Sequence, residues 1–88
     1  MIDHLWWELG ELGATALFEV KLRGSSARLM LMDADNYQAY LDDEEYTFYG
    51  GYTDTTPSHL EIPYDDYWYL VLDSNPSRIK VWVNQVFD

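Results

Sequence analysis

Acidic side chains are the groups in this sequence that could do chemistry. Asp65 and Asp66 form one pair, and a second group consists of four consecutive acids, Asp42, Asp43, Glu44 and Glu45. Carboxylates at such short spacing can serve as a general acid and a general base, or can bind a hard cation. One hypothesis is therefore an enzyme that uses Asp65 and Asp66 with His59, and solvated turns are the simpler interpretation of the same residues.

No nucleophile, cofactor or metal motif accompanies these acids. The chain has no cysteine and only two histidines, which excludes disulfides, thiolate catalysis and cysteine-based metal sites. It has no G-x-S-x-G elbow, and its glycine pairs lack the Lys and Ser or Thr of phosphate-binding loops. A calcium-loop template fails where Tyr37 and Gln38 stand, so only a looser cation site near Asp33 and Asp35 stays open. We expect a protein that is not an enzyme, needs no cofactor and has no metal site of standard form.

Aromatic residues are the other unusual group, because they crowd next to the acids. They make up 17% of the chain, and alternate strand residues point outward, so some of them must face water. Exposed tyrosine offers a large, stiff contact area with a polar tip, which suits a binding surface for protein, sugar or peptide. The alternative is that tyrosine fits half-buried sheets, where cross-strand aromatic pairs are stabilising. The predicted binding set contains Tyr37, Tyr40, Tyr46, Phe48, Tyr49, Tyr52, Asp42, Asp43, Glu44 and Glu45.

The formal net charge of −11, from five basic and sixteen acidic residues, constrains the partners. A nucleic-acid-binding surface needs clustered Lys and Arg, so we expect no direct binding of nucleic acid. The acidity serves solubility, reflects adaptation to high salt, or mimics nucleic-acid phosphates to inhibit a basic protein. No apolar run approaches the roughly 20 residues that span a bilayer, and the first residues do not resemble a signal peptide. We therefore expect a cytoplasmic protein without membrane contact.

Alternation of apolar and polar residues predicts the elements that position these groups. Residues 15–23 alternate as a half-buried strand does, and residues 27–32 are apolar on both faces, which predicts a central strand. Residues 33–43 have helical spacing and predict a short connector capped by Asp33 or Asp35. Gly50-Gly51 predicts a bulge or bend. Further strands are expected near residues 46–52, 59–62, 67–73 and 79–84, with another candidate at 5–9.

This spacing predicts an all-β fold in a single domain over residues 1–88. We expect a small antiparallel β-sandwich, jelly-roll-like, with six or seven strands and one short helical connector. The last strand is long and partly apolar, with Trp82 at its middle. Such a strand could join two copies in a weak homodimer.

Several short motifs resemble those of a bacterial family known as domain of unknown function 1883. They are LMDADNY at residues 31–37, YGG at 49–51, HLEIP at 59–63 and WYLVLD at 68–73. The likeness runs from about Leu9 to Val86 in the same order. The last two strand segments also resemble the closing hairpin of small jelly-roll modules such as the Golgi-dynamics domain.

The family resemblance implies a compact β-sandwich and brings no established activity. Members occur alone and joined to TIR domains, so the resemblance implies an accessory role in TIR-type bacterial immunity. Residues 42–45 are acidic where the family tends to be basic. We therefore do not expect this chain to bind any anionic ligand inferred for its relatives. We expect a non-enzymatic module that recognises a protein or another ligand. The alternative is a nucleic-acid-mimicking inhibitor of a basic protein.

Overall fold

The computed structural model describes residues 4–24, 26–53, 56–73 and 79–87. Within these residues the chain forms seven strands in two antiparallel sheets and one short helix. The elements in order are β1 (Leu5–Leu12), β2 (Leu17–Arg23), β3 (Ala27–Asp33), α1 (Ala34–Leu41), β4 (Tyr49–Thr53), β5 (Ser58–Glu61), β6 (Asp66–Leu72) and β7 (Lys80–Val86). One sheet has the order β1-β6-β3-β4 and the other β5-β2-β7. The predicted all-β sandwich is confirmed.

The main core lies between the two sheets. Alternate residues of β2, Phe18 and Val20, are buried against residues of the four-stranded sheet. The largest of those is Trp68, which is fully buried and donates its indole N–H to the backbone oxygen of Tyr64 at 3.1 Å. Each fully buried large apolar side chain contributes about 1.5–3 kcal/mol, so this layer dominates the stability of the domain.

A second, smaller core covers the other face of the four-stranded sheet. Met30 and Met32 of β3 and Val71 of β6 pack there against Tyr37 and Tyr40 of α1. This arrangement explains why residues 27–32 are apolar on both faces, as the sequence indicates for a central strand. The helix predicted as a connector therefore forms a third layer, which we call the helix layer.

Glycine has two different roles in the strands. The β1–β6 pairing shifts register between Glu8 and Gly10, and Gly10 has φ +87°. Gly50 has φ +128°, and a Cβ there would lie 2.3 Å from the backbone oxygen of Leu29. A bulge or a bend was predicted at Gly50-Gly51; the bulge is wrong, because the β3–β4 pairing has no register shift, and Gly50 allows close backbone approach instead. The bulge lies in β1.

The last two strands do not form the hairpin suggested by the jelly-roll resemblance. Strand β6 pairs with β1 and β3, whereas β7 pairs with β2 in the other sheet. The segment between these two strands, residues 74–78, lies outside the described residues. In the part of the chain that the structure describes, no helix is long and apolar enough to cross a membrane.

Candidate functional site

The C-terminal end of α1 carries the four consecutive acids, which we call the acidic loop (residues 42–45). Asp42 caps the helix, and two backbone bonds close its last turn. Asp43 donates its N–H to the oxygen of Tyr40 at 3.3 Å, and Glu44 donates to Ala39 at 2.9 Å. This pair of bonds is the Schellman motif, in which the residue at the position of Asp43 is left-handed and usually glycine. Asp43 has φ +58°, so an aspartate takes a place where glycine would cost less.

Electrostatics make this loop a costly place for acids. The C-terminal end of a helix carries a partial negative charge, and the last turn of α1 contains no basic residue. All four acids are exposed. None of the ion pairs among the described residues involves them, and the side chain of Asp42 accepts a hydrogen bond from the amide of Gln38 at 3.1 Å. The loop therefore presents four uncompensated carboxylates to solvent.

The aromatic residues of the predicted set fall into buried and exposed members. Tyr37 and Tyr40 are each 8% exposed and form part of the helix layer. The Tyr37 ring stacks on Tyr69 with a centroid distance of 4.4 Å. Tyr46 and Phe48 are half-buried at the margin of the same layer, where Tyr46 meets the edge of the Tyr40 ring at 5.2 Å. Tyr37 and Tyr40 therefore lie beneath the surface of the predicted binding set, and Tyr46 and Phe48 lie at the border of that surface.

The ion pair of Arg28 with Asp73 lies next to these rings and was not predicted from the sequence. Arg28 of β3 donates two hydrogen bonds to Asp73, one from Nε at 2.9 Å and one from Nη2. The hydroxyl of Tyr40 donates to the same carboxylate at 3.1 Å, and the guanidinium carbon lies 5.7 Å from the Phe48 ring centroid. The hydrogen bond to Asp73 raises the pKa of Arg28 above its ordinary value, because it outweighs the opposite effect of burial. The pKa of Tyr40 is also raised, first by burial and then by the negative charge of Asp73. The one feature of the sequence that could have indicated a buried ion pair is Arg28, a single arginine within the apolar run 27–32.

Tyr49 and Tyr52 lie on opposite faces of β4. Tyr52 pairs with Arg28 in the β3–β4 register, so it stands on the face of the helix layer, and it is 72% exposed. Tyr49 is 46% exposed on the other face, with its ring 6.1 Å from that of Trp68. The structure therefore brings Tyr52 together with Arg28 and the half-buried rings, and it separates Tyr49 from them.

The start of α1 is fixed by Asp33. Its side chain accepts from the backbone N–H and the side-chain amide of Asn36, both at 2.9 Å, and from the hydroxyl of Tyr64. Burial alone would raise the pKa of Asp33, but these three bonds outweigh it and lower the pKa below the ordinary value. Among the described residues, no three His, Asp or Glu side chains gather in a way that could hold a metal, including those near Asp33 and Asp35.

The structure separates the carboxylates of the enzyme hypothesis from its imidazole, because Asp66 begins β6 in the four-stranded sheet and His59 lies in β5 of the three-stranded sheet. Asp65 accepts from the backbone N–H of Ala14 at 2.7 Å, and Asp66 accepts from the N–H of Tyr67 at 2.6 Å. Both line an open groove of about 490 Å³ with Glu11. His59 instead stands on the outer face of the three-stranded sheet, 3.5 Å from Glu19.

The fold and these contacts define a small β-sandwich domain with an acidic and aromatic border around one helix. The family model described as Domain of unknown function (DUF1883) matches residues 2–86, so the chain belongs to this family. The match confirms the resemblance carried by the short motifs. No curated protein and no solved structure matches the chain.

Proposed function

We propose that this domain is a non-enzymatic recognition module that binds a protein partner. Its contact surface consists of the acidic loop together with the exposed Tyr52 and the half-buried rings of Tyr46 and Phe48. Arg28 connects the parts, because it lies beside Phe48 and pairs with Tyr52 across the strands. The partner carries Lys or Arg side chains for the loop and flat or apolar groups for the tyrosine.

The acidic loop is the observation that supports this proposal. It combines three features that lower stability: an aspartate in a left-handed conformation, acids at the negative end of a helix, and adjacent like charges. Stability-lowering features that persist at one place are typical of functional surfaces. A basic partner would relieve two of the three, since it neutralises the adjacent charges and the helix end.

The partner and the cellular setting of this proposal rest on the family resemblance. Because family resemblance implies joining to TIR domains, a bacterial TIR-containing protein in the cytoplasm is the first partner to test. The alternative function, a nucleic-acid-mimicking inhibitor, would use the same acids against a DNA-binding groove. It differs in requiring that duplex DNA displace the domain from its target.

The experiment uses titration calorimetry with a peptide rich in Lys and Arg as the probe. The double variant E44Q/E45Q removes two loop charges, and we expect it to weaken binding about three- to tenfold, which corresponds to about 0.3–0.7 kcal/mol for each exposed ion pair. The matched control, E11Q/E61Q, removes two exposed charges elsewhere. We expect the control to change the affinity less than about twofold.

Tyr52→Ala tests the aromatic part of the surface. This side chain is largely exposed, so its removal should weaken binding and leave the unfolding midpoint unchanged.

Equal losses of affinity for E44Q/E45Q and E11Q/E61Q would show that the peptide responds to net charge alone and would refute the placement of the surface at the acidic loop. Release of a DNA-binding target protein by duplex DNA would favour the mimicry alternative instead.

A further inference from the structure

Three of the four edge strands of the two sheets are protected against pairing with another chain. Bulges, prolines and short length are the usual protections, and glycine also weakens a strand. Strand β1 contains the register shift beside Gly10, and β4 contains Gly50 and Gly51 at positive φ. Strand β5 has only four residues, between Pro57 and Pro63.

The fourth edge, β7 (Lys80–Val86), has none of these protections. It pairs with β2 without a register shift over all seven residues, and it contains no glycine or proline. Lys80 is its only charged residue. Its exposed apolar residues are Trp82 at 47% and Val86 at 38%, and Phe87, which follows the strand, is 78% exposed. The edge is therefore regular, nearly neutral and apolar.

We infer that β7 pairs with β7 of a second copy, antiparallel about a two-fold axis at Asn84. This would join two three-stranded sheets into one of six strands. The spacing of the exposed residues selects this register, because Trp82 and Val86 lie two positions on either side of Asn84. Each Trp82 then stands opposite Val86 of the second copy, on one face of the sheet, and each Val81 opposite Phe87 on the other.

Neighbouring registers leave these side chains uncovered. An axis at Val83 would place Trp82 opposite Asn84 and Val86 opposite Lys80. An axis at Trp82 would pair the two tryptophans and leave Val86 beyond the end of the ladder. A slip of one strand by one residue would place the outer face of one copy's sheet, with its Trp82, on the same side as the core face of the other copy's sheet. The axis at Asn84 alone covers the exposed apolar residues with one another.

Charge also favours this approach of two copies. Each copy carries a net charge of −11, so two copies repel over most of their surface. On the outer face of its sheet, β7 lies beside Lys21 and Arg23 of β2, in register with Trp82 and Lys80. Three of the five Lys and Arg residues of the chain are therefore at this place. Glu19 and Glu61 lie on the same outer face, and Lys21 is 3.6 Å from Glu19, so this face carries charges of both signs and repels a second copy less than a uniformly acidic face would.

The size of the contact predicts a weak complex. One strand pair buries less than the roughly 1,600 Å² of a standard stable interface, so the expected dissociation constant is micromolar or weaker. Salt screens the repulsion between the copies over a Debye length that shrinks from about 30 Å at 0.01 M to about 8 Å at 0.15 M. Added salt should therefore tighten the dimer.

Disulfide trapping tests the register directly, because the chain has no cysteine of its own. At a two-fold axis on Asn84 the two Cα atoms would be about 4.5–5.5 Å apart, which lies within the range that a disulfide spans. We expect Asn84→Cys to form a linked dimer under mild oxidation. Two Trp82→Cys chains would be offset by four residues, about 13 Å, and should not link. A mixture of Trp82→Cys and Val86→Cys chains should give the mixed dimer.

Sedimentation at several protein and salt concentrations provides the second measurement. Trp82→Lys should weaken association at least about tenfold, whereas Tyr52→Lys on the β4 edge should leave it unchanged. Association of the wild type should tighten from 20 mM to 500 mM salt, by roughly tenfold. A monomer under all conditions, together with an Asn84→Cys variant that does not link, would overturn the inference. Linking of Trp82→Cys to itself, or association that salt weakens, would do the same.

Discussion

At the residue scale, the carboxylate of Asp73 joins three elements. It follows β6, accepts two bonds from Arg28 of β3, and accepts one from the hydroxyl of Tyr40 of α1. The side chain of Asp73 is 5% exposed and that of Arg28 is 26% exposed. The pair is thus largely removed from water, and loss of one partner leaves the other uncompensated.

The first prediction concerns this carboxylate. Asp73→Ala should lower the free energy of unfolding by about 2–4 kcal/mol, because it leaves both Arg28 and Tyr40 without their acceptor. Tyr40→Phe removes one donor only and should cost about 1 kcal/mol. Urea unfolding followed by tryptophan fluorescence measures both. Similar losses for the two variants would mean that the helix layer does not depend on Asp73.

The second prediction concerns pH and Asp33. Its pKa is lowered in the folded state, so its bonds stabilise the fold fully above the unfolded-state pKa near 4, and this stabilisation is lost as pH falls through the lower folded value. Asp33→Asn keeps the helix cap but does not titrate. At pH 7 it should be about 1 kcal/mol less stable than the wild type, and the difference should shrink as the pH falls below about 4.

Urea unfolding at pH 7 and at pH 3 measures this difference. Asp35→Asn is the control, because Asp35 is exposed in the same first turn. The control should change stability by less than about 0.5 kcal/mol at either pH. A gap between wild type and Asp33→Asn that widens in acid would contradict the assignment.

At the scale of single elements, the close approach of β4 to β3 rests on Gly50. Gly50→Ala should cost more than about 3 kcal/mol, because the new Cβ would meet the backbone oxygen of Leu29 at 2.3 Å. In Gly51→Ala the new Cβ would have no atom within 4 Å, so the free energy of unfolding should fall only by the strain of the positive φ, about 1–2 kcal/mol. Unfolding midpoints in urea compare the two. Equal costs would show that the approach at Gly50 relaxes easily.

The end of α1 gives the second element-scale prediction. Asp43→Gly should raise the free energy of unfolding by about 0.5–1.5 kcal/mol, because glycine accepts the left-handed conformation and the variant removes a charge from the negative end of the helix. Asp43→Asn removes the charge but keeps a side chain, so it should gain about 0.3–0.5 kcal/mol. Thermal unfolding measures both changes. A destabilised Asp43→Gly variant would remove the stability argument for a functional loop.

Local patterns in the sequence were enough to predict most elements. Alternation over residues 15–23 predicted β2 because one face of that strand is buried, and the doubly apolar run 27–32 predicted β3 as a central strand. Asp33 was one of two predicted caps. The choice of strand partners was not predictable in this way, and the expected hairpin of β6 with β7 was wrong. Turn residues act locally, whereas the pairing of strands depends on core packing between distant segments.

The candidate site was predictable only in part for the same reason. The acidic loop and Tyr52 are exposed as expected, but Tyr37 and Tyr40 are buried, because the helix packs on a sheet whose outer face is apolar. The Arg28–Asp73 pair joins residues 45 positions apart. No spacing rule indicates such a contact. The bulge at Gly10 likewise depends on the partner strand β6.

At the scale of the whole molecule, the acidic loop and three of the basic side chains lie on different surfaces. The acidic loop lies at the end of the helix layer, while Lys21, Arg23 and Lys80 lie on the outer face of the other sheet. This division allows one surface to bind a basic partner and the other to meet a second copy. The two contacts involve different residues, so variants can separate them.

Chemical-shift mapping of the backbone amides during titration with a peptide rich in Lys and Arg tests the central claim most directly. The account predicts that the largest shift changes fall in residues 42–52, around the acidic loop and Tyr52. It predicts small changes on the outer face of β2 and β7. Changes concentrated on that outer face, or spread evenly over all exposed acids, would contradict the proposed recognition surface.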